Sequence, residues 1–280
     1  MTTRVILSSS SWRDYSFLVP ITALLWREVI GYEPFVFAVG DWTRSKRCIA
    51  SKEYLERLGV RHVNLTALEG LNESSVAQNC RQHAAALREF QDDEWLMLSD
   101  ADLWPLWKPF YHQHESSHAR MALYYANGDH YQSYPTCHMT ARASTWREMM
   151  GLQADDDLLG QLRRSYDEWL KPRIEGKGPS DAGWVEWNMD QWRTAEIIKR
   201  QSWFSTGTLM IERLGHPPVD RIDRGAWPKE PKVLGMVDAH LPKAPDQPGI
   251  WESVRPLLEQ LVPDRLAEID AYRLEYLAGY

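Results

Sequence analysis

The chain has 280 residues, 44% hydrophobic, 25% charged and 11% aromatic, the proportions of a soluble globular protein with one large domain or two small ones. Its net charge of −7, with no basic block, excludes a partner held mainly through nucleic-acid phosphates. Three scattered cysteines, Cys48, Cys80 and Cys137, exclude a disulfide framework and a cysteine-zinc motif, and no apolar run approaches the ~18 residues of a membrane span. Nothing after Met1 reads as a secretory leader, so the expected location is cytoplasmic. The 14 tryptophans favour contact with sugar rings only mildly, because most indoles fill cores.

Val5-Ile6-Leu7 predicts a first strand that runs into four serines, Ser8 to Ser11. Phe17, Ile21, Leu24, Leu25 and Val29 recur at helical spacing, which predicts a helix over 15–30, with Pro20 as an alternative starting point. A second buried strand at 34–39 closes on Gly40-Asp41. A short helix over 51–58, with Ser51 as N-cap and Gly59 at its end, leads to a third strand at 61–65. Val76, Cys80, Ala84, Leu87 and Phe90 mark one helix over 72–90, and Trp95-Leu96-Met97-Leu98 is a fourth strand. Apolar strands separated by helices imply a mostly parallel sheet covered on both faces, whose ligands sit beyond the carboxyl ends of the strands.

Past residue 105 the pattern loosens. A strand at 121–125, a turn at Asn127-Gly128-Asp129, and a strand at 135–141 feeding a helix over 144–150 are expected. Helices over 155–170 and 184–200 flank a Gly/Pro loop, and a strand follows at 208–211. Residues 215–250 read as irregular, and 251–277 as amphipathic helices. Asp155-Asp156-Asp157 stands at a helix start, where negative charge suits the dipole, and reads as structural. There is no internal repeat.

The most informative stretch is Ser99-Asp100-Ala101-Asp102, directly after the fourth strand. Residues i and i+2 of an extended segment point the same way, so Asp100 and Asp102 are expected to converge on a hard divalent cation. The structural alternative is a turn cap followed by a solvated loop residue. Farther on, Glu186 and Asp190 share one face of the helix expected over 184–200, beside a stripe formed by Trp184 and Trp187. That helix reads either as half-buried packing or as the wall of an acceptor groove.

On these residues the chain resembles the metal-dependent, nucleotide-sugar glycosyltransferases of the GT-A fold, such as glycogenin and the bacterial lipopolysaccharide galactosyltransferases. Their signature is an Asp-x-Asp after the fourth strand. The resemblance implies an α/β three-layer sandwich with a mostly parallel central sheet and a helical C-terminal tail. It also implies a single domain over 1–280: a nucleotide-binding half (1–105), an acceptor-binding half (106–250) and C-terminal helices (251–280). The implied reaction is hexosyl transfer from a nucleoside-diphosphate donor, UDP-sugar being the commonest, to a glycan or other hydroxyl acceptor. The implied cofactor is Mn2+, or Mg2+, held by Asp100, Asp102 and a loop histidine. Within Val237-Asp238-Ala239-His240-Leu241-Pro242-Lys243, His240 matches that histidine and Lys243 the diphosphate contact, although this loop lacks the family's glycine and Pro-Trp. An imidazole ligand favours Mn2+. His216 and Asp238 are competing third ligands.

Asp190-Gln191 matches the family's pair at donor sugar or acceptor, so Asp190, with Glu186 second, is the expected catalytic group. The expected nucleotide contacts are Ser8, Ser9 and Tyr15 after the first strand, Asp41 after the second, and Arg81 before the acidic motif. One rival is a sugar-phosphate nucleotidyltransferase, whose Gly-rich basic loop is missing from Ser8-Ser9-Ser10-Ser11-Trp12-Arg13. The other is a non-enzymatic carbohydrate-binding module, commonly a β-sandwich.

Overall fold

A computed structural model describes residues 2–124, 133–211 and 220–279. In chain order the strands are β1 (Thr3–Ser10), β2 (Glu33–Val39), β3 (Arg61–Leu65), β4 (Trp95–Leu98), β5 (Leu103–Pro105), β6 (Met121–Leu123), β7 (Met139–Arg142), β8 (Thr208–Met210), β9 (Arg221–Asp223) and β10 (Asp238–His240). Seven form a mostly parallel sheet in the order β3-β2-β1-β4-β7-β6-β8, and β5-β10-β9 form a second, small sheet. This is the α/β architecture expected from the apolar strands. Val5, Ile6 and Leu7 are fully buried, as are Val36, Phe37, Ala38 and Val39, which is the pattern of strands covered on both faces. The expected strand end at Tyr125 and the turn at Asn127-Gly128-Asp129 lie outside the described residues. Among the described residues no helix is long and apolar enough to cross a membrane.

The chain divides into two compact units, interleaved in sequence: residues 1–6, 67–99 and 114–213, and residues 7–66, 100–113 and 214–280.

In the first unit, β4 pairs parallel with the start of β1 and antiparallel with β7, which pairs antiparallel with β6. Trp146 donates its indole N–H to Leu96 O at 3.1 Å, fastening the helix Ala143–Met150 to β4. The helix expected over 72–90 is shorter, Glu73–Cys80, and tightens into a 3-10 segment, Arg81–Ala86. His83 on that segment is buried, with Nδ1 3.1 Å from Asn79 O and Nε2 3.2 Å from Ser165 Oγ. The helix expected over 184–200 is two helices, Pro179–Trp187 and Met189–Lys199, separated by Asn188 at φ −96° and ψ 5°. Glu186 and Asp190 therefore belong to different helices, yet the charges of both bear on the Tyr166 hydroxyl and, after burial, help to raise its pKa.

In the second unit, β2 and β3 pair parallel. The helix Arg13–Leu25 starts before Tyr15, carries Pro20 inside it, and continues as a π turn, Trp26–Ile30. Gly31, at φ +88°, ends the segment by donating to Trp26 O and Arg27 O, a left-handed conformation that suits glycine. Pro20 has no N–H for the carbonyl of Ser16, four residues earlier. The Tyr272 hydroxyl stands there instead, 3.4 Å from Ser16 O and 2.9 Å from Phe17 O, while Ser51 Oγ is 2.9 Å from the same hydroxyl. Tyr276 OH meets Ser16 Oγ at 2.8 Å, and Phe17 stacks on Tyr272 with centroids 5.5 Å apart. The C-terminal helix Leu266–Leu277 is thus bonded to the flaw that Pro20 makes in the first helix.

His83 gives this fold an acid sensitivity. Burial, reinforced by the Arg193 charge, pushes its pKa from 6.5 down to about 3. Between those values the unfolded chain binds a proton that the folded chain refuses, so stability falls as pH drops below about 6.5. Urea unfolding at pH 6 and pH 4 should show the parent losing about 2 kcal/mol more than His83→Gln. Equal losses in the two proteins would remove His83 as the cause.

Candidate active site

The second unit holds the acidic motif. After β4 the chain does not stay extended: Leu103 N–H reaches Asp100 O at 3.4 Å, closing a turn over 100–103. Thr22 Oγ1 fixes the turn by donating to Ala101 O at 2.5 Å. The two carboxylates consequently differ, Asp100 being half-buried and Asp102 only 7% exposed.

Strand β5 then pairs antiparallel with β10, setting Leu103 opposite His240, and Leu241 N–H donates to Asp102 O at 2.9 Å. On its other side β10 pairs parallel with β9, setting His240 opposite Asp223. The small sheet thus brings the ends of three distant segments together. His240 Nε2 is 3.7 Å from Asp102 Oδ2, and its Nδ1 is 3.3 Å from Asp223 Oδ2. Arg224, the residue after β9, donates from Nη2 to Asp102 Oδ2 at 2.5 Å and from Nε to His240 Nδ1 at 3.2 Å. Burial raises the Asp223 pKa, but the Gly225 N–H and His240 outweigh it and hold this carboxyl below the ordinary range. Tyr15 is pushed the other way, up to about 12, first by burial and then by the charges of Asp102 and Asp100.

A separation of 3.7 Å suits two ligands of one ion with bonds of about 2.1 Å. Asp102 and His240 therefore fit as two donors. Among the described residues no three His, Cys, Asp or Glu side chains converge as a ready-made cage, and the Asp102 oxygen already carries a guanidinium. Of the competing ligands, Asp238 is fully buried and engaged by Arg221 at 2.7 and 3.0 Å, whereas His216 lies outside the described residues.

The remaining expected nucleotide contacts differ in exposure. Lys243 is exposed, three residues beyond His240. Ser8 and Ser9 are buried at the end of β1, where Ser9 Oγ donates to Ser10 O at 2.8 Å. Asp41 is exposed and folded back on its own turn: it accepts from Thr43 Oγ1 at 2.6 Å and Thr43 N at 3.0 Å, bonds that lower its pKa.

The first unit holds the other expected group. Asp190, in the first turn of Met189–Lys199, is 2% exposed. Its Oδ2 accepts from Thr136 Oγ1 at 2.5 Å and lies 3.7 Å from Arg81 Nη2, while its Oδ1 accepts from Gln191 N at 2.8 Å. Arg81 is not an exposed cation. It is buried and donates to Ser99 O at 2.6 Å and to Gln78 O at 3.3 Å. Gln82 Nε2 holds the Asp190 carbonyl at 2.9 Å. Gln191 is half-buried, and the Oε1 of Glu186 is buried with no hydrogen-bond partner among the described residues. Trp184 and Trp187 are 62% and 43% exposed, so this pair does not fill a core.

Three participants escaped the sequence reading. Thr136 carries no local signal, because its bond to Asp190 spans 54 residues. Asp223 and Arg224 lay in the stretch read as irregular, where the alternation Arg221-Ile222-Asp223 was the available sign of a strand.

No family model matches the chain, and no curated protein matches it. Solved structures similar to it are glycosyltransferases of the GT-A type. The galactosyltransferase LgtC, in complex with donor and acceptor sugar analogs, has a TM-score of 0.48 and 10% identity over 96% of this chain and 95% of that one. GlyE of Streptococcus pneumoniae gives 0.42 and 9% over 75% of this chain and 45% of that one. Glucosyl-3-phosphoglycerate synthase from Mycobacterium tuberculosis, in complex with Mn2+, UDP and phosphoglyceric acid, gives 0.40 and 12% over 93% and 78%.

The buried Arg81–Asp190 pair yields a stability prediction. Arg81→Met leaves a carboxylate uncompensated and should cost about 3–5 kcal/mol in denaturant unfolding. Adding Asp190→Asn should recover a large part of that loss. Additive losses would show that the two side chains do not depend on each other.

Proposed function

We propose that the chain transfers a hexosyl unit from a nucleoside-diphosphate sugar, UDP-sugar first among the candidates, to a hydroxyl of a glycan or similar acceptor. The observation that carries this reading is the convergence of Asp102, His240 and Arg224 at the turn after β4. Charge supports it as a cation site that recruits an anion. Asp100, Asp102 and Asp223 outnumber the Arg224 guanidinium, so a diphosphate alone is repelled there, and a divalent ion reverses that balance. Asp102 and His240, with Asp100 from the same turn, would hold Mn2+ or Mg2+. When bound, the ion supplies Lewis-acid stabilisation of the charge on the departing diphosphate.

The chain's own groups do the rest. Lys243 reaches toward the diphosphate from the exposed loop after β10, and Tyr15, Ser8 and Ser9 border the nucleotide. Asp190 is held on both oxygens by protein donors, which suits orientation of the donor sugar, with Gln191, better than removal of an acceptor proton. Glu186, whose buried Oε1 has no hydrogen-bond partner among the described residues, is then the stronger candidate for general base, and Trp184 and Trp187 offer faces for an acceptor ring. The mixed α/β fold sets aside the β-sandwich module.

Calorimetry with UDP, GDP and dTDP, each with and without Mn2+, tests the reading, followed by a hydrolysis screen of the corresponding sugar nucleotides. Asp102→Asn should weaken Mn2+-dependent nucleotide binding at least tenfold while leaving thermal unfolding near that of the parent. Parent-like binding in that variant would remove the acidic pair from the site. Asp190→Asn should retain UDP affinity and lose affinity for the intact sugar nucleotide. Glu186→Gln should lower kcat by roughly 10²- to 10⁴-fold with little change in donor affinity. Normal turnover in both variants would leave the first unit without a role in the reaction.

A further inference from the structure

Arg224 stands where two requirements of the proposed ion collide. The ion needs the Asp102 carboxylate, and Arg224 Nη2 is already on its Oδ2 at 2.5 Å. It also needs the Nε2 lone pair of His240, which exists in a neutral imidazole only when Nδ1 carries the proton. Nδ1 has two neighbours with opposite demands. Asp223 Oδ2, at 3.3 Å, accepts and therefore calls for Nδ1–H. Arg224 Nε, at 3.2 Å, donates and therefore calls for a bare Nδ1, which moves the proton to Nε2. One ring nitrogen satisfies one of them at a time.

We infer that Arg224 and a divalent ion exclude each other at Asp102 and His240, and that the exchange is coupled to the tautomer of His240. With Arg224 in place, the guanidinium neutralises Asp102 and keeps a proton on Nε2. With Arg224 withdrawn, Asp223 takes the Nδ1 proton in a hydrogen bond and leaves Nε2 bare toward Asp102. Asp223 is the positioning residue of the ion-ready state, a carboxylate behind a histidine ligand. Arg224 has somewhere to go: it follows β9, begins the short turn Arg224–Ala226, and its side chain is 25% exposed. The consequence is an ion site that stays closed until a divalent cation displaces the arginine.

This inference rests on the ion reading above, and the test separates the two. Mn2+ alone is titrated calorimetrically into the full chain and into Arg224→Met, Arg224→Gln, Asp223→Asn and Asp102→Asn, each first shown to melt like the parent. The two Arg224 variants should bind Mn2+ at least tenfold more tightly than the parent, and Asp223→Asn about 10–100-fold more weakly. Nitrogen NMR of His240 in the ion-free parent should show Nε2–H, converting to Nδ1–H in Arg224→Met or on adding diamagnetic Zn2+. Mn2+ binding that Asp102→Asn abolishes, but that neither Arg224 variant strengthens, keeps the ion site and overturns the exchange. An ion-free parent with Nδ1–H also overturns it. No Mn2+ binding in the parent or any variant overturns the ion reading and the exchange with it.

Discussion

The candidate site depends on a single strand being paired on both edges. β10 is three residues long and contributes His240, and its register is fixed by β5 on one side and β9 on the other. Those pairings put Asp102 and Asp223 on the same imidazole from segments 121 residues apart. A slip of one residue in either pairing would turn His240 to the opposite face and leave Asp102 with only its guanidinium. The chemistry proposed for the turn after β4 is therefore secured by backbone hydrogen bonds, and the side chains follow.

The sequence announces this arrangement unevenly. The first, second and fourth strands are legible because each is an apolar run buried on both faces, whereas β3, buried only at Leu65, shows chiefly by the turn signal at Gly59 before it. The acidic motif is legible because it directly follows the fourth. The helix breaks are less visible. The periodicity of Val76, Cys80 and Ala84 does not reveal the change to 3-10 geometry, because every residue of Arg81–Ala86 is buried and apolar spacing there marks no one face. Likewise, Asn188 is a weak helix former that a pattern count tolerates, so the division of the expected helix at that residue does not show in the periodicity. Arg224 was invisible for another reason: its partners are 16 and 122 residues away, and nothing near it in sequence hints at either.

Tryptophan, the compositional oddity, has two extremes, with Trp169, Trp192, Trp203, Trp227 and Trp251 between them. Trp26, Trp42, Trp95, Trp104 and Trp146 are within 2% of complete burial, while Trp12, Trp107, Trp184 and Trp187 keep large parts of their rings in solvent. The first group accounts for much of the aromatic content as ordinary packing. The second concentrates in loops and on the helix Pro179–Trp187, none of whose residues is buried. Indoles on an otherwise polar helix carry a hydration cost that packing within the chain does not relieve.

The proline flaw in the first helix also has a temporal side. Tyr272, which occupies the place left at Ser16 and Phe17, lies 256 residues downstream of Ser16. At typical ribosomal rates of roughly 5–20 residues per second, that carbonyl waits about 13–50 s for its partner. Until then Ser16 O lacks the Tyr272 hydroxyl, and Phe17 lacks the ring that stacks on it. Completion of the helix Arg13–Leu25 is thus delegated to a segment synthesised more than two hundred residues later.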